Sequence, residues 1–166
     1  MNGHSFEVGQ RDALAILNVD ELRSAASANG RPVVFTNGVF DLLHAGHVTY
    51  LEQAKTMGRS LFVGVNSDDS VKRLGKGDNR PFNKLMNRMI VLAALECVDY
   101  VVPFEHDTPL GLIKIVKPDS LVKGGDWKIE NIIGSTEVAS WVGRTISIPF
   151  EYNVSTTEIA RRIVGA

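Results

Sequence analysis

The chain has 166 residues, 44% of them hydrophobic and 22% charged, with a formal net charge of -1. This composition is that of a single folded domain with a full apolar core, and it excludes a disordered chain. The charge balance lacks the basic field of a nucleic-acid or anionic-membrane binder, and the lone cysteine, Cys97, has no internal disulfide partner, which points to a reducing, cytoplasmic setting.

In chain order, Met1 to Asp12 are polar without a signal-peptide core, and no apolar run approaches membrane-spanning length. From about Asp12 to Asn29 the apolar Leu14, Leu17, Leu22 and Ala26 predict a helix, ended by Gly30 and Pro32, so residues 1–30 read as a helical extension of one domain, 1–166. Arg31 to Asn37 reads as a buried strand closed at Asn37-Gly38. A helix from about Gly46 carries Tyr50, Leu51, Ala54 and Met57 at helical spacing, with Gly58 as its stop.

Ser60 to Asn66 is the second strand, and Ser67-Asp68-Asp69 offers caps for a short helix toward Leu74. Gly75 to Pro81 has loop composition, and a long helix is expected from Phe82 to Glu96. Strands at Asp99 to Pro103, Ser120 to Val122 and Thr145 to Phe150 alternate with helices at Thr108 to Val116, Ser135 to Val142 and Ser155 to Val164. This alternation predicts an α/β fold with a five-stranded parallel sheet covered on both faces, three layers in all.

Ligands of such sheets gather at the carboxyl ends of the strands, near a switch in strand order. The distinctive polar residues fall there: His44 and His47 after the first strand, Asn66 at the end of the second, Lys123-Gly124-Gly125-Asp126 after the fourth, Ser155-Thr156-Thr157 after the fifth. Two imidazoles at a strand-to-helix junction, with Gly46 between them for close backbone approach, suit a phosphate at a helix start. They also suit two half-buried histidines; a zinc pair is disfavoured because His4, His106 and Cys97 have no ligand spacing.

Ser155 to Glu158 matches a capping box, a reading compatible with Thr156 and Thr157 presenting hydroxyls and amides to an anion. Lys123 to Asp126 is either a tight turn or a place where a nucleotide approaches the backbone, with Asp126 near ribose or a metal. Arg88, in an apolar helix, would ordinarily snorkel to solvent. Lys72, Arg73, Lys76 and Arg80 read as mostly solvated, some of them within reach of a triphosphate. Trp127 and Trp141 are either packing residues or part of a base or sugar pocket. The apolar stretch Val98-Asp99-Tyr100-Val101 suits a core or a dimer face equally.

The run Thr36-Asn37-Gly38-Val39-Phe40-Asp41-Leu42-Leu43-His44-Ala45-Gly46-His47 resembles the signature of the cytidylyltransferase-like nucleotidyltransferases. The resemblance continues through Val65 to Asp68, Asn87 to Leu92, Lys123 to Asp126 and Ser155 to Thr157, covering about Arg31 to Ile163. Within the family the chain is most similar to the adenylyltransferase domains that make ADP-heptose for lipopolysaccharide core or surface glycans; Asp107-Thr108-Pro109 and Val122 to Asp126 belong to that likeness.

The resemblance implies a Rossmann-like HxGH nucleotidyltransferase fold and an enzyme that transfers AMP from ATP to D-glycero-D-manno-heptose 1-phosphate, releasing pyrophosphate. It implies catalytic roles for His44, His47, Lys76 and Arg88. Nucleotide contacts would come from Asn37, Gly38, Phe40, Asp41, Gly46, Asn66, Lys123, Gly124, Gly125, Asp126, Ser155, Thr156 and Thr157. Mg²⁺ would ride on phosphate oxygens and water, with no dedicated protein metal site. The partners expected are small molecules, ATP and a sugar 1-phosphate, with no nucleic acid or membrane, in a homo-oligomer.

Two departures bear on this. The heptose enzymes often carry a sugar kinase ahead of this domain, and residues 1–30 are too few for one, so a separate kinase is expected to supply the sugar 1-phosphate. Glycerol-phosphate cytidylyltransferases have an arginine shortly before Ser-Thr-Thr, where this chain reads Phe150-Glu151-Tyr152-Asn153. The alternatives are a cytidylyltransferase acting on glycerol 3-phosphate or another small phosphate, and a nucleotide sensor without turnover.

Overall fold

The structure, a computed structural model, describes residues 15–75, 79–152 and 154–164. Helix α1 spans Val19–Ala28, β1 Val33–Gly38, α2 Ala45–Lys55, β2 Ser60–Asn66, α3 Asp68–Arg73, α4 Leu85–Ala93 and β3 Tyr100–Phe104. After these come α5 Leu110–Val116, β4 Ser120–Gly124, a 3₁₀ turn Ile129–Asn131, α6 Ser135–Ser140, β5 Arg144–Ile148 and α7 Thr156–Val164. The five strands are all parallel, in the order β3-β2-β1-β4-β5.

Every residue of β2 is buried, as expected for a central parallel strand covered on both faces. On one face, Tyr50, Leu51 and Ala54 of α2 and Met89 and Leu92 of α4 pack on Val34, Leu61, Val63, Val101 and Val122. On the other, Leu22 and Ala26 of α1, Leu112, Ile113 and Val116 of α5 and Val138 of α6 pack on Val33, Phe35, Phe62, Val102 and Leu121. Each large apolar side chain buried this way stabilises the fold by about 1.5–3 kcal/mol before entropy is counted. Cys97 is a half-buried free thiol beside the first of these cores.

The amino ends of the two central strands are tied by carboxylates from neighbouring strands. Asp119, just before β4, accepts the Val33 amide at 2.5 Å and Arg31 Nε at 2.9 Å. Asp99, just before β3, accepts the Leu61 amide at 2.7 Å and Lys55 Nζ at 2.5 Å. Val98 and Val101 are buried in the core and Tyr100 stacks on Phe62, so this stretch contributes to packing.

Several helices are shorter than expected. The first is interrupted: Ala15 is helical, Ile16 bridges to Val101 and the Leu17 amide donates to Val101 O at 2.9 Å, and the helix that follows begins at Val19 behind the reciprocal capping box of Asn18 and Glu21. The part of that expectation falling on residues 12–14 lies outside the described residues. Helix α4 starts at Leu85 because the Phe82 and Asn83 amides are taken by the Asp41 carboxylate, at 3.0 and 2.9 Å. Gly58 ends no helix by its own conformation. A Cβ there would lie 2.6 Å from Val34 Cγ2 and 2.7 Å from Pro32 O, so close packing is its reason. No helix among the described residues is long and apolar enough to cross a membrane.

Candidate active site

Strand β1 is the switch point: the chain leaves it for β2 on one side and returns from β3 to β4 on the other. Strands β1 and β4 pair only at Val34↔Ser120 and Phe35↔Leu121. Beyond that they part, and the crevice between their carboxyl ends opens into a cavity of about 890 Å³. Lys123 bridges the crevice, its Nζ donating to Asn37 O at 3.0 Å.

Asn37, Gly38, Phe40, Asp41, His44, His47, Lys123, Gly124, Gly125, Asp126, Ser155, Thr156 and Thr157 all line this cavity. His44 is the N-cap of α2 but makes no side-chain cap hydrogen bond. Its ring lies on that of His47, centroids 3.8 Å apart and 24° from parallel. The buried His44 Nδ1 has no hydrogen-bond partner among the described residues. Burial pushes the His44 pKa below the usual 6.5, so the ring is neutral at neutral pH. Gly46 is buried beneath it, and a Cβ there would come within 3.2 Å of His44 Nδ1.

Phe150 closes the wall edge-on to His44, His47 and Tyr50. Tyr50, inside α2, shares a 3.1 Å hydrogen bond with Thr36 Oγ1, and burial raises its phenol pKa well above the ordinary value. Gly124 lets the Phe150 ring approach: a Cβ there would lie 2.9 Å from it. Gly125, at φ +107°, makes the turn that a side chain would strain. Phe40 takes a left-handed φ of 50° and sets its ring 5.3 Å from that of His47.

Facing the histidines is the start of α7. Ser155 Oγ accepts the Glu158 amide at 3.1 Å, which is half of the expected capping box; Glu158 itself pairs with Arg161 and Arg162. Thr156 Oγ1 donates to Leu42 O at 3.3 Å, docking α7 onto the segment after β1. The amides of Thr156 and Thr157 are among those a helix start leaves without intrahelical partners.

Three expected site residues stand differently. Arg88 neither snorkels to solvent nor lines the cavity: fully buried, it donates to Asn83 O at 3.0 Å, Val39 O at 2.7 Å, Asn66 O at 2.8 Å and Asp68 Oδ1 at 2.9 Å. Asn66 is buried behind the cavity too, its Nδ2 on Ser70 Oγ at 2.9 Å, and it borders a smaller adjoining pocket of about 270 Å³. Lys76 lies outside the described residues. Of the other nearby cations, Lys72 and Arg73 lie in α3 and pair with Asp69 and Asp107, away from the cavity.

Arg80, expected to be solvated, lines the cavity and pairs with Asp41 at 3.2 Å. Its position depends on Asp41, 39 positions earlier in the chain, and no local pattern signals it. Tyr50 and Phe150 are wall residues whose apolar character alone reads as core, and Trp127 lines the cavity, the second of the two roles expected for it. Trp141 packs in the second core and donates to Pro118 O at 3.0 Å.

Among the described residues no group of three or more His, Cys, Asp or Glu converges on a metal position. Asp41 is committed to two amides and Arg80, while Asp126 and Glu151 are exposed at the cavity, Glu151 accepting from Gln53 at 2.5 Å through one oxygen. Two carboxylates at the cavity rim could contact a hydrated divalent ion brought in with a nucleotide.

The sequence model of the cytidylyltransferase-like family matches residues 35–162. The chain is 51% identical over 150 residues to the D-beta-D-heptose 1-phosphate adenylyltransferase of Bordetella bronchiseptica, covering 89% of this chain and 93% of that protein. It is 54% identical over 151 residues to the bifunctional protein HldE of Escherichia coli, of which it spans 31%. A lipopolysaccharide core biosynthesis protein from Thermoplasma volcanium superposes with a TM-score of 0.62 at 26% identity, over 75% of this chain and 100% of that one. Pantoate-beta-alanine ligase from Francisella tularensis shares the fold, with a TM-score of 0.60 at 16% identity over 92% of this chain and 78% of its own.

Proposed function

The chain belongs to the cytidylyltransferase-like nucleotidyltransferases, and on that footing we propose that it transfers AMP from ATP to a heptose 1-phosphate, forming ADP-heptose and pyrophosphate. The observation that carries the chemistry is the stacked His44–His47 pair facing the start of α7 across the switch-point cavity. The identity to a heptose 1-phosphate adenylyltransferase over nearly its whole length supports the choice of nucleotide and sugar.

In this reading a phosphate oxygen of the sugar attacks the α-phosphorus of ATP in line. The bond from the α-phosphorus to its bridging oxygen breaks, and pyrophosphate leaves with the electron pair. No protein nucleophile takes part. The protein holds two anions together and stabilises the charge that grows on the leaving group.

His44 and His47 donate to the nucleotide phosphates at the start of α2, and Thr156 and Thr157 receive the β- and γ-phosphates at the start of α7. Lys123, Gly124, Gly125 and Asp126 border the nucleoside, and Lys76 supplies a further positive charge. Asp126, exposed at the cavity, would be the residue to contact a hydrated Mg²⁺, which would supply charge neutralisation for the triphosphate. Arg88 acts from behind, holding the ends of β1 and β2 in place. A reducing cytoplasm, which keeps Cys97 a thiol, is the compartment that suits this activity.

Pyrophosphate release with Mg²⁺ tests the reading, crossing ATP, CTP, GTP and UTP against heptose 1-phosphate and glycerol 3-phosphate. Turnover confined to ATP with the heptose phosphate is expected. Preference for CTP or glycerol phosphate overturns the substrate assignment, and nucleotide binding without turnover overturns the enzyme.

A further inference from the structure

Arg80 is the one described residue that combines a nearly buried cationic head with an opening onto the cavity and almost no internal satisfaction. Its side chain is only 11% exposed, against 1% for its partner Asp41. The guanidinium carbon sits 4.8 Å above the centre of the Phe82 ring, so one face is covered. Its Nε is 3.2 Å from Asp41 Oδ2 but out of hydrogen-bond alignment, and it is buried with no other acceptor.

Arg88 shows what a satisfied buried arginine looks like in this fold, with four acceptors around it. Arg80 has five N–H donors, one poorly aligned carboxylate and no hydrogen bond to protein among the described residues. The buried Nε is costly in that state, and an anion in the cavity that Arg80 lines is placed to meet the rest of the guanidinium. Asp41 is not free to turn and complete it: its two oxygens are already held by the Phe82 and Asn83 amides, and its carbonyl by Asn83 Nδ2 at 2.5 Å. Among the described residues no other acceptor reaches it, and the cavity is the side it lines.

The position also says which part of a nucleotide would fill it. Asp41 holds Arg80, and the next residue, Leu42, holds Thr156 through its carbonyl. Arg80 and the start of α7 therefore flank the same two-residue segment, on the side of the cavity assigned above to the β- and γ-phosphates. We infer that Arg80 is the residue that grips the departing pyrophosphate, with Asp41 and Phe82 as the groups that position it. This rests on the transferase reading above, and it adds a charge that moves with neither substrate. Its planar fork matches two oxygens of a terminal phosphate, a geometry lysine cannot copy.

Calorimetric titration with inorganic pyrophosphate, and separately with AMP and ATP, tests the assignment without relying on turnover. The Arg80→Gln protein is expected to bind pyrophosphate and ATP about 10- to 100-fold more weakly, the weight of a charge-assisted contact, with AMP binding unchanged within about twofold. Arg80→Lys keeps the charge and is expected to fall between them, and it carries the test should Arg80→Gln not fold. Unchanged pyrophosphate binding in the folded variants, or equal losses for AMP and pyrophosphate, overturns the role and leaves Arg80 as a wall residue. A wild-type protein that binds neither ATP nor pyrophosphate overturns the transferase reading itself.

Discussion

The His44 and His47 rings lie face to face with centroids 3.8 Å apart, too close for two imidazolium charges to share comfortably. Burial already holds His44 toward its neutral form. In the proposed reaction His44 meets a phosphate as a neutral hydrogen-bond donor. Removing one of the two rings should cost transition-state stabilisation and little stability: His47→Ala is expected to melt like the wild type while turnover falls on the order of 10²–10³. Near-normal turnover in a steady-state assay would remove His47 from the chemistry.

The depressed pKa of His44 has a sign for stability. The unfolded chain binds a proton near 6.5 that the folded His44 resists, so folding is favoured fully above that value and loses this contribution as pH falls through the folded pKa. His44→Gln removes the liability. Its melting temperature is expected to drop less than that of the wild type between neutral pH and mildly acidic pH. An equal drop in both proteins would mean His44 does not resist protonation.

Arg88 makes the opposite kind of prediction from His47. Replacing it by Met strands the carbonyls of Val39, Asn66 and Asn83 and leaves Asp68 without its cation. The expected loss is about 3 kcal/mol, toward the low end for breaking a buried charge pair because Asp68 keeps some contact with solvent. For a domain of this size that lowers the melting temperature by roughly 6–12 °C. An Arg88→Met protein of normal stability that fails only in ATP binding would return Arg88 to the list of phosphate ligands.

Two glycines separate packing from propensity. Gly124→Ala pushes a methyl to 2.9 Å from Phe150 and 3.1 Å from Tyr50, and is expected to cost about 1–3 kcal/mol. Gly111→Ala, in α5 with nothing within 4 Å, is expected to be stabilising by up to about 1 kcal/mol. Denaturant midpoints of the two variants should move in opposite directions.

Much of this architecture is legible in the residues. Ser60–Asn66 is a strand over its expected length because an unbroken apolar run between turn residues has few other fates. The histidines, the Lys123–Asp126 turn and the Ser155–Thr157 segment fall together because a parallel sheet collects the ends of its strands at one edge. What sequence reading misses depends on contacts distant along the chain. Helix α4 is cut short by a carboxylate at Asp41, and Arg88 is drawn inward by carbonyls from β1 and β2, neither visible in the local periodicity. Arg80 was hidden for the same reason, since a loop arginine reads as solvated until its partner is placed. The start of α1 was the exception, a local signal overlooked: the Asn18–Glu21 capping box is plain in the residues.

The cavity has two rims of unequal stiffness. On one, the Arg88 guanidinium ties Val39, Asn66, Asn83 and Asp68 into a single unit, so these segments can move only together. On the other, α7 has no fully buried side chain among those described and meets the β1 side through one long hydrogen bond, Thr156 to Leu42. Amide exchange should accordingly be fast around Thr156 and slow around Asn66. In the proposed reaction the stiff rim, the fixed jaw of a vice, would set alignment, and the compliant one would let ligands pass.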